Sequence, residues 1–178
     1  PYLHWLQVDV ESLCPTHIRE LEFSTEGGQM NRVRLPLGGI GISRYALDDL
    51  LYQRAKGAGC TIVIATVTGV SFSNDTFAVS FQDQVLRSKI VLGAYGKRSN
   101  VDQLLSRDFI TKTSPWMAVK AHYSGDFPND LIALHHFEGG YCGISKVEDD
   151  QINLCYLADV KTFKRYKNIG DYQKYVLS

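Results

Sequence analysis

The sequence predicts an α+β chain, an antiparallel sheet with helices joined to part of an α/β lobe. Three observations carry this reading. Four strand-length runs follow one another between Trp116 and Ala158, with a tight turn at Asp149 and Asp150. The stretch from Ile42 to Gly59, ISRYALDDLLYQRAKGAG, sets Leu47, Leu50, Leu51 and Ala55 at the three-and-four spacing of one helical face. Finally, IVLGAYGKRSNV, from Ile90 to Val101, runs a β-branched segment into a Gly-x-x-Gly turn and then into a basic, hydroxyl-bearing segment.

In chain order, 17–25 and 31–35 read as a hairpin around Glu26, Gly27 and Gly28, after which 37–41 crosses over to a helix at 44–56. Ser43 stands where an N-cap hydroxyl would bond the first free amides, and Gly57 and Gly59 punctuate the far end. Arg44 opposes the helix dipole in the first turn, so it needs an anion nearby or its i,i+4 partner Asp48. Strands are expected at 61–66, 70–73, 77–81 and 84–93, with Asn74 and Asp75 turning one hairpin. Glycines at Gly93 and Gly96 let the backbone approach a ligand closely, and Arg98 and Ser99 offer donors to a phosphate or ribose. A loop over 100–115 holds a short helix at 101–105. The meander then takes 116–124, 131–137, 141–148 and 151–158, and helices close the chain at 160–166 and 171–176.

Lysine plus arginine equal aspartate plus glutamate at 19 each, so no basic field is available for nucleic acid or acidic membranes. No apolar stretch approaches the ~20 residues that span a bilayer. Cys14, Cys60, Cys142 and Cys155 are dispersed without a Cys-x-x-Cys pair, which suggests reduced thiols, neither a zinc site nor a redox dithiol, and a cytoplasmic context, with the inner membrane surface as an alternative. His135 and His136 are neighbours on a strand and face opposite sides, so no metal is expected. The aromatics Trp116, Tyr123, Phe137, Tyr141 and Tyr156 either line an apolar substrate pocket or fill the sheet core.

Taken in order, GISRYALDDLLYQRA, CTIVIATV, a polar hairpin region and IVLGAYGKRS resemble the middle of FAD-dependent oxidoreductases of the geranylgeranyl reductase and aromatic hydroxylase superfamily, the p-hydroxybenzoate hydroxylase-like enzymes. The resemblance implies that Ser43 and Arg44 open a helix beside the flavin, and that Gly93, Gly96, Arg98 and Ser99 contact the cofactor. The later motif usually reads Gly-Ala-Asp-Gly, and Tyr95 replaces its aspartate. Residues 136–145, HFEGGYCGIS, are similar to the family's Phe-Pro-x-Gly loop on the substrate side of the flavin, with Glu138 where proline is frequent. On that likeness Trp116, Phe137, Gly139, Gly140 and Tyr141 are candidate substrate contacts. The adjacent glycines call for the close approach of an isoalloxazine ring or substrate, or for a hairpin turn.

The resemblance divides the chain into a partial FAD-binding lobe at 37–108 and a substrate-binding domain at 14–36 and 114–178. The Gly-x-Gly-x-x-Gly cradle for the FAD pyrophosphate does not occur in the sequence; Gly38, Gly39 and Gly41 come nearest, with Arg44 at the third required position. Gly170 and Asp171 read as a surface turn and not as the family's late Gly-Asp motif. With Pro1 first and Met30 the earliest methionine, the sequence reads as an internal segment of an FAD enzyme, inert and without FAD by itself, and prone to self-association through open sheet edges. The parent would reduce isoprenoid double bonds or, second, hydroxylate or halogenate an aromatic, apolar substrate. The alternative is a non-enzymatic module that binds an apolar ligand.

Overall fold

The computed structural model describes residues 2–96 and 99–177. The elements run α1 (Tyr2–Trp5), β1 (Thr16–Ser24), β2 (Met30–Gly41), α2 (Arg44–Gly57), β3 (Val67–Ser73), β4 (Thr76–Phe81), β5 (Gln84–Ser88), α3 (Asn100–Leu104), β6 (Trp116–Tyr123), β7 (Leu131–Phe137), β8 (Gly140–Lys146), β9 (Ile152–Asp159), α4 (Val160–Phe163) and α5 (Ile169–Val176). They form two compact units, residues 1–59 with 115–178, and residues 60–114. Residues 37–59, expected on the cofactor side, lie in the first unit with the larger sheet.

The first unit holds a six-stranded sheet in the order β2-β1-β7-β8-β9-β6. Four of its pairings are antiparallel, but β1 lies parallel to β7, with Glu20 opposite Leu131 and Ser24 opposite His135. The first hairpin and the meander strands pair antiparallel as expected, and the parallel β1–β7 pair makes the sheet as a whole mixed. Parallel neighbours need a long connection, and α2 together with the whole second unit intervenes between these two strands. A correction concerns 37–41, which is no crossover: it continues β2, pairing Ile40 with His17 and Gly41 with Thr16. Pro36 is tolerated within this strand because β2 is a sheet edge, where a missing amide donor leaves no neighbour unsatisfied.

The second unit contains the three-stranded sheet β3-β4-β5, whose first hairpin turns at Asn74 and Asp75, both with positive φ. Here the sequence reading overreached. Among the described residues, 61–66 enters no ladder and the strand expected to run to Gly93 stops at Ser88. Ile64 is 88% exposed and Leu92 86%, so these apolar runs have the composition of strands without a partner to pair with.

The core of the first unit lies on one face of the large sheet. Cys142, Leu154, Tyr156 and Ala158 point toward α4 and α5, where Tyr172 is fully buried among Tyr156, Phe163 and Tyr166 at ring separations of 5.0–5.8 Å. Asp159 caps α4 by accepting from the Thr162 amide at 2.6 Å, and Asn168 caps α5 by accepting from Asp171. The helix expected to reach Tyr166 ends at Phe163, because Arg165 and Tyr166 donate to carbonyls three residues back and tighten the last turn. The helix expected from Asp171 starts two residues earlier, so Gly170, expected in the turn that enters it, falls within the first turn of α5. No described helix is long and apolar enough to cross a membrane.

The hydroxyls of Tyr156 and Tyr172 find no hydrogen-bond partner among the described residues, and burial pushes the Tyr172 phenol up to about 12. An unpartnered buried hydroxyl lends no stability while the ring does. Tyr172→Phe is therefore expected to hold stability within about 1 kcal/mol, whereas Tyr172→Ala should cost about 3–5 kcal/mol through the cavity it leaves. Chemical denaturation of the two variants checks this; a large loss in the phenylalanine variant would contradict it.

Candidate functional site

The start of α2 is built by a junction between the end of β2 and the loop after β8. Thr16 Oγ1 donates to the Val147 carbonyl at 2.8 Å, and a Cβ at Gly41 would collide with the Lys146 carbonyl, so only glycine lets the chain pass here. Just beyond, the Ser43 amide donates to Glu148 Oε2 at 2.7 Å while its hydroxyl accepts from the Ala46 amide at 3.0 Å. Ser43 is buried and its hydroxyl is engaged as the helix cap expected from the sequence. Arg44 is the opposite case: its side chain is 79% exposed, and its guanidinium stands 3.4 Å from both Asp48 carboxylate oxygens. At that distance the i,i+4 pair is loose and leaves the cation available to a further anion.

Glu148 carries a lowered pKa: burial pushes it up, but the hydrogen bonds from Ser43 outweigh that. A carboxylate whose folded pKa is depressed contributes stability above its unfolded value, about 4.3, and loses it as pH falls through the lower folded value. The urea midpoint of the wild-type protein should therefore fall more steeply below about pH 4 than that of Glu148→Gln, which has no such carboxylate to protonate. Parallel acid profiles would contradict this.

In the second unit, the Gly93–Gly96 turn follows the run 90–92, in which Ile90 and Leu92 are exposed. Gly96 adopts φ +70°, and none of the described residues lies within 4 Å of its Cβ direction. Gly93 is covered by the Tyr95 ring, 3.0 Å from where a Cβ would stand. Ser99 Oγ accepts from the Val101 amide at 3.1 Å and caps α3, so its hydroxyl is committed to the backbone. Arg98 lies outside the described residues.

Of the expected substrate contacts, the two faces of the large sheet take different members. Phe137 points to the helix-covered face, edge-on to Tyr172 and Tyr175 at 6.4 Å, and belongs to the core. Trp116 and Tyr141 alternate with the core residues Met117 and Cys142 and therefore lie on the other face, alongside Ala118 and Leu157. Both are partly exposed, at 49% and 40%. The steric need of the paired glycines is met within the chain: a Cβ at Gly139, φ +78°, would meet the Asp159 carboxylate and the Thr162 hydroxyl of the α4 cap, and one at Gly140 would meet the Leu157 carbonyl and the Phe137 ring. Gly140→Val should therefore destabilise the fold by about 1–3 kcal/mol through overpacking, read as a lower thermal midpoint of the isolated chain; an unchanged midpoint would free Gly140 for a purely ligand-facing role.

Sequence reasoning missed a groove of about 1260 Å³ between residues 2–11 and strands β1 and β2, with Leu3, Val8, Ile18, Pro36 and Ile40 among its walls. Arg54 of α2 holds the N-terminal segment in place by donating to the Gln7 and Leu6 carbonyls. Only the apolar spacing of Leu35, Leu37 and Ile40 could have pointed to it. His135 and His136, weighed as ligands, both turn to Ser24, through its hydroxyl at 2.8 Å and its carbonyl at 3.1 Å.

No family model matches the sequence, and no curated protein is similar to it. Solved structures do resemble the fold. A flavoprotein/dehydrogenase from Cytophaga hutchinsonii matches with a TM-score of 0.76 at 13% identity, over 93% of this chain and 44% of that one. A triple mutant of the flavin-dependent brominase Bmp2 matches at 0.77 and 16%, over 98% and 48%. The halogenase PltM in complex with phloroglucinol and FAD matches at 0.74 and 11%, over 92% and 39%. The chain spans less than half the length of each of these proteins, and over almost all of its own length its fold matches a part of theirs.

Proposed function

We propose that this chain is a portion of an FAD-dependent oxidoreductase and forms the substrate-side sheet with part of the flavin lobe. The observation that carries this is the fold likeness to three flavoproteins over more than nine-tenths of the chain. The local chemistry fits FAD at two points, considered separately because they lie in different units. Arg44 offers an exposed cation at the first turn of α2, suited to an anionic group, and Gly96 offers a positive-φ turn with no side chain of its own to block a nucleotide. When bound, FAD supplies the hydride or oxygen chemistry. This chain's residues would orient the partners and exclude water: Arg44 by charge, and the face bearing Trp116, Tyr141 and Leu157 by holding an apolar substrate.

Between the two subclasses the sequence suggested, the halogenase neighbours favour oxidative modification of an aromatic ring over reduction of isoprenoid double bonds, and phloroglucinol, the phenol in the PltM complex, is the kind of substrate implied. The apolar groove supports the second reading, a non-enzymatic module for an apolar ligand. In the isolated chain the exposed runs around Ile64 and Leu92 favour self-association, and FAD occupancy there is expected to be low.

The discriminating experiment is Arg44→Ala in the full-length protein. Loss of one charge-assisted contact should weaken FAD binding roughly tenfold, read as a reduced ratio of flavin to protein absorbance after purification. Wild-type flavin content in that variant would remove Arg44 from the site, and a colourless wild-type protein that cannot be reconstituted with FAD would overturn the proposal.

A further inference from the structure

Asp102 is the one carboxylate among the fully buried described residues, 3% exposed on the five-residue helix α3. Its partners come from either side. The Tyr95 hydroxyl donates to Oδ1 at 2.9 Å, and Arg107 Nε lies 3.5 Å from the same oxygen, with the Arg107 guanidinium otherwise half-exposed. Among the described residues these are the carboxylate's two side-chain partners, and of them Tyr95 is the closer. To reach Asp102 the phenol folds back across its own turn, its ring edge 3.0 Å from where a Cβ at Gly93 would stand. Glycine at 93, a ring at 95 and a carboxylate at 102 thus require one another. The turn they close contains Gly96, the positive-φ position.

We propose that Tyr95 and Asp102 form a positioning pair that fixes the Gly93–Gly96 turn for contact with the flavin nucleotide. Neither residue touches the ligand chemistry directly; the phenol serves as the donor that lets a buried carboxylate seven residues downstream hold the turn. The role toward flavin rests on the function proposed above, while the clasp itself does not.

The test uses the full-length protein, first stripped of flavin and then titrated with FAD. Tyr95→Phe, which removes the donor, and Asp102→Ala, which removes the acceptor, should each speed amide hydrogen exchange across residues 90–96 about tenfold and weaken FAD affinity by about the same factor, the loss of one hydrogen bond to a charged group. Unchanged exchange in the two single variants overturns the clasp. Faster exchange with unaltered FAD affinity overturns its role toward the flavin. Failure of the wild-type protein to take up FAD overturns the flavin reading, and the exchange data from the stripped protein still decide the clasp.

Discussion

The burial of Tyr172 against one face of the large sheet is the constraint from which the rest of the first unit follows. Its ring meets Tyr156 on the strand side and Phe163 and Tyr166 on the helix side, so α4 and α5 are held to the sheet by a single aromatic contact set. That choice decides the fate of every residue in the meander by alternation. Met117, Phe137, Cys142 and Tyr156 lie on the face covered by α4 and α5, and Trp116, Tyr141 and Leu157 lie on the opposite face.

The same core explains the glycines after β7. The α4 cap brings the Asp159 carboxylate and Thr162 hydroxyl over the hairpin, and the space a side chain would need at Gly139 is already taken by that cap. The glycines thus report how tightly the helix pair is drawn onto the sheet. A sequence motif that resembles a ligand-approach loop can arise from the protein's own packing, and here the two readings coincide at the same residues.

Much of the fold was legible because its signals are local. The Asn74–Asp75 and Asp149–Asp150 turns need only residues that tolerate positive φ, and Ser43 needs only its neighbour amides to act as a cap. What was not legible depends on partners distant in sequence. Nothing in 16–24 says that β1 will lie parallel to β7, and nothing in Ile62, Val63, Ile90 or Leu92 says whether a strand will be present to pair with them. The Tyr95–Asp102 contact was hidden for another reason: at position 95 the departure from the expected aspartate drew attention to a lost contact, and the partner of Tyr95 lies seven residues on, at a position no motif singles out.

Charge placement along α2 shows how a helix can carry a cation where the dipole disfavours one. Arg54 and Lys56 occupy the last turn, where positive charge is stabilising, and Arg54 also holds the N-terminal segment. The first turn contains no acid, only Arg44. The negative charge this end requires comes instead from Glu148, whose carboxylate accepts the Ser43 amide across the junction between β2 and the loop after β8. Supplying that charge from another element frees the first helical position from serving the helix, and Asp48 holds its guanidinium only loosely. A cation kept exposed at such a position, while a distant carboxylate stabilises the helix start, is the charge that the proposed function assigns to an anionic ligand.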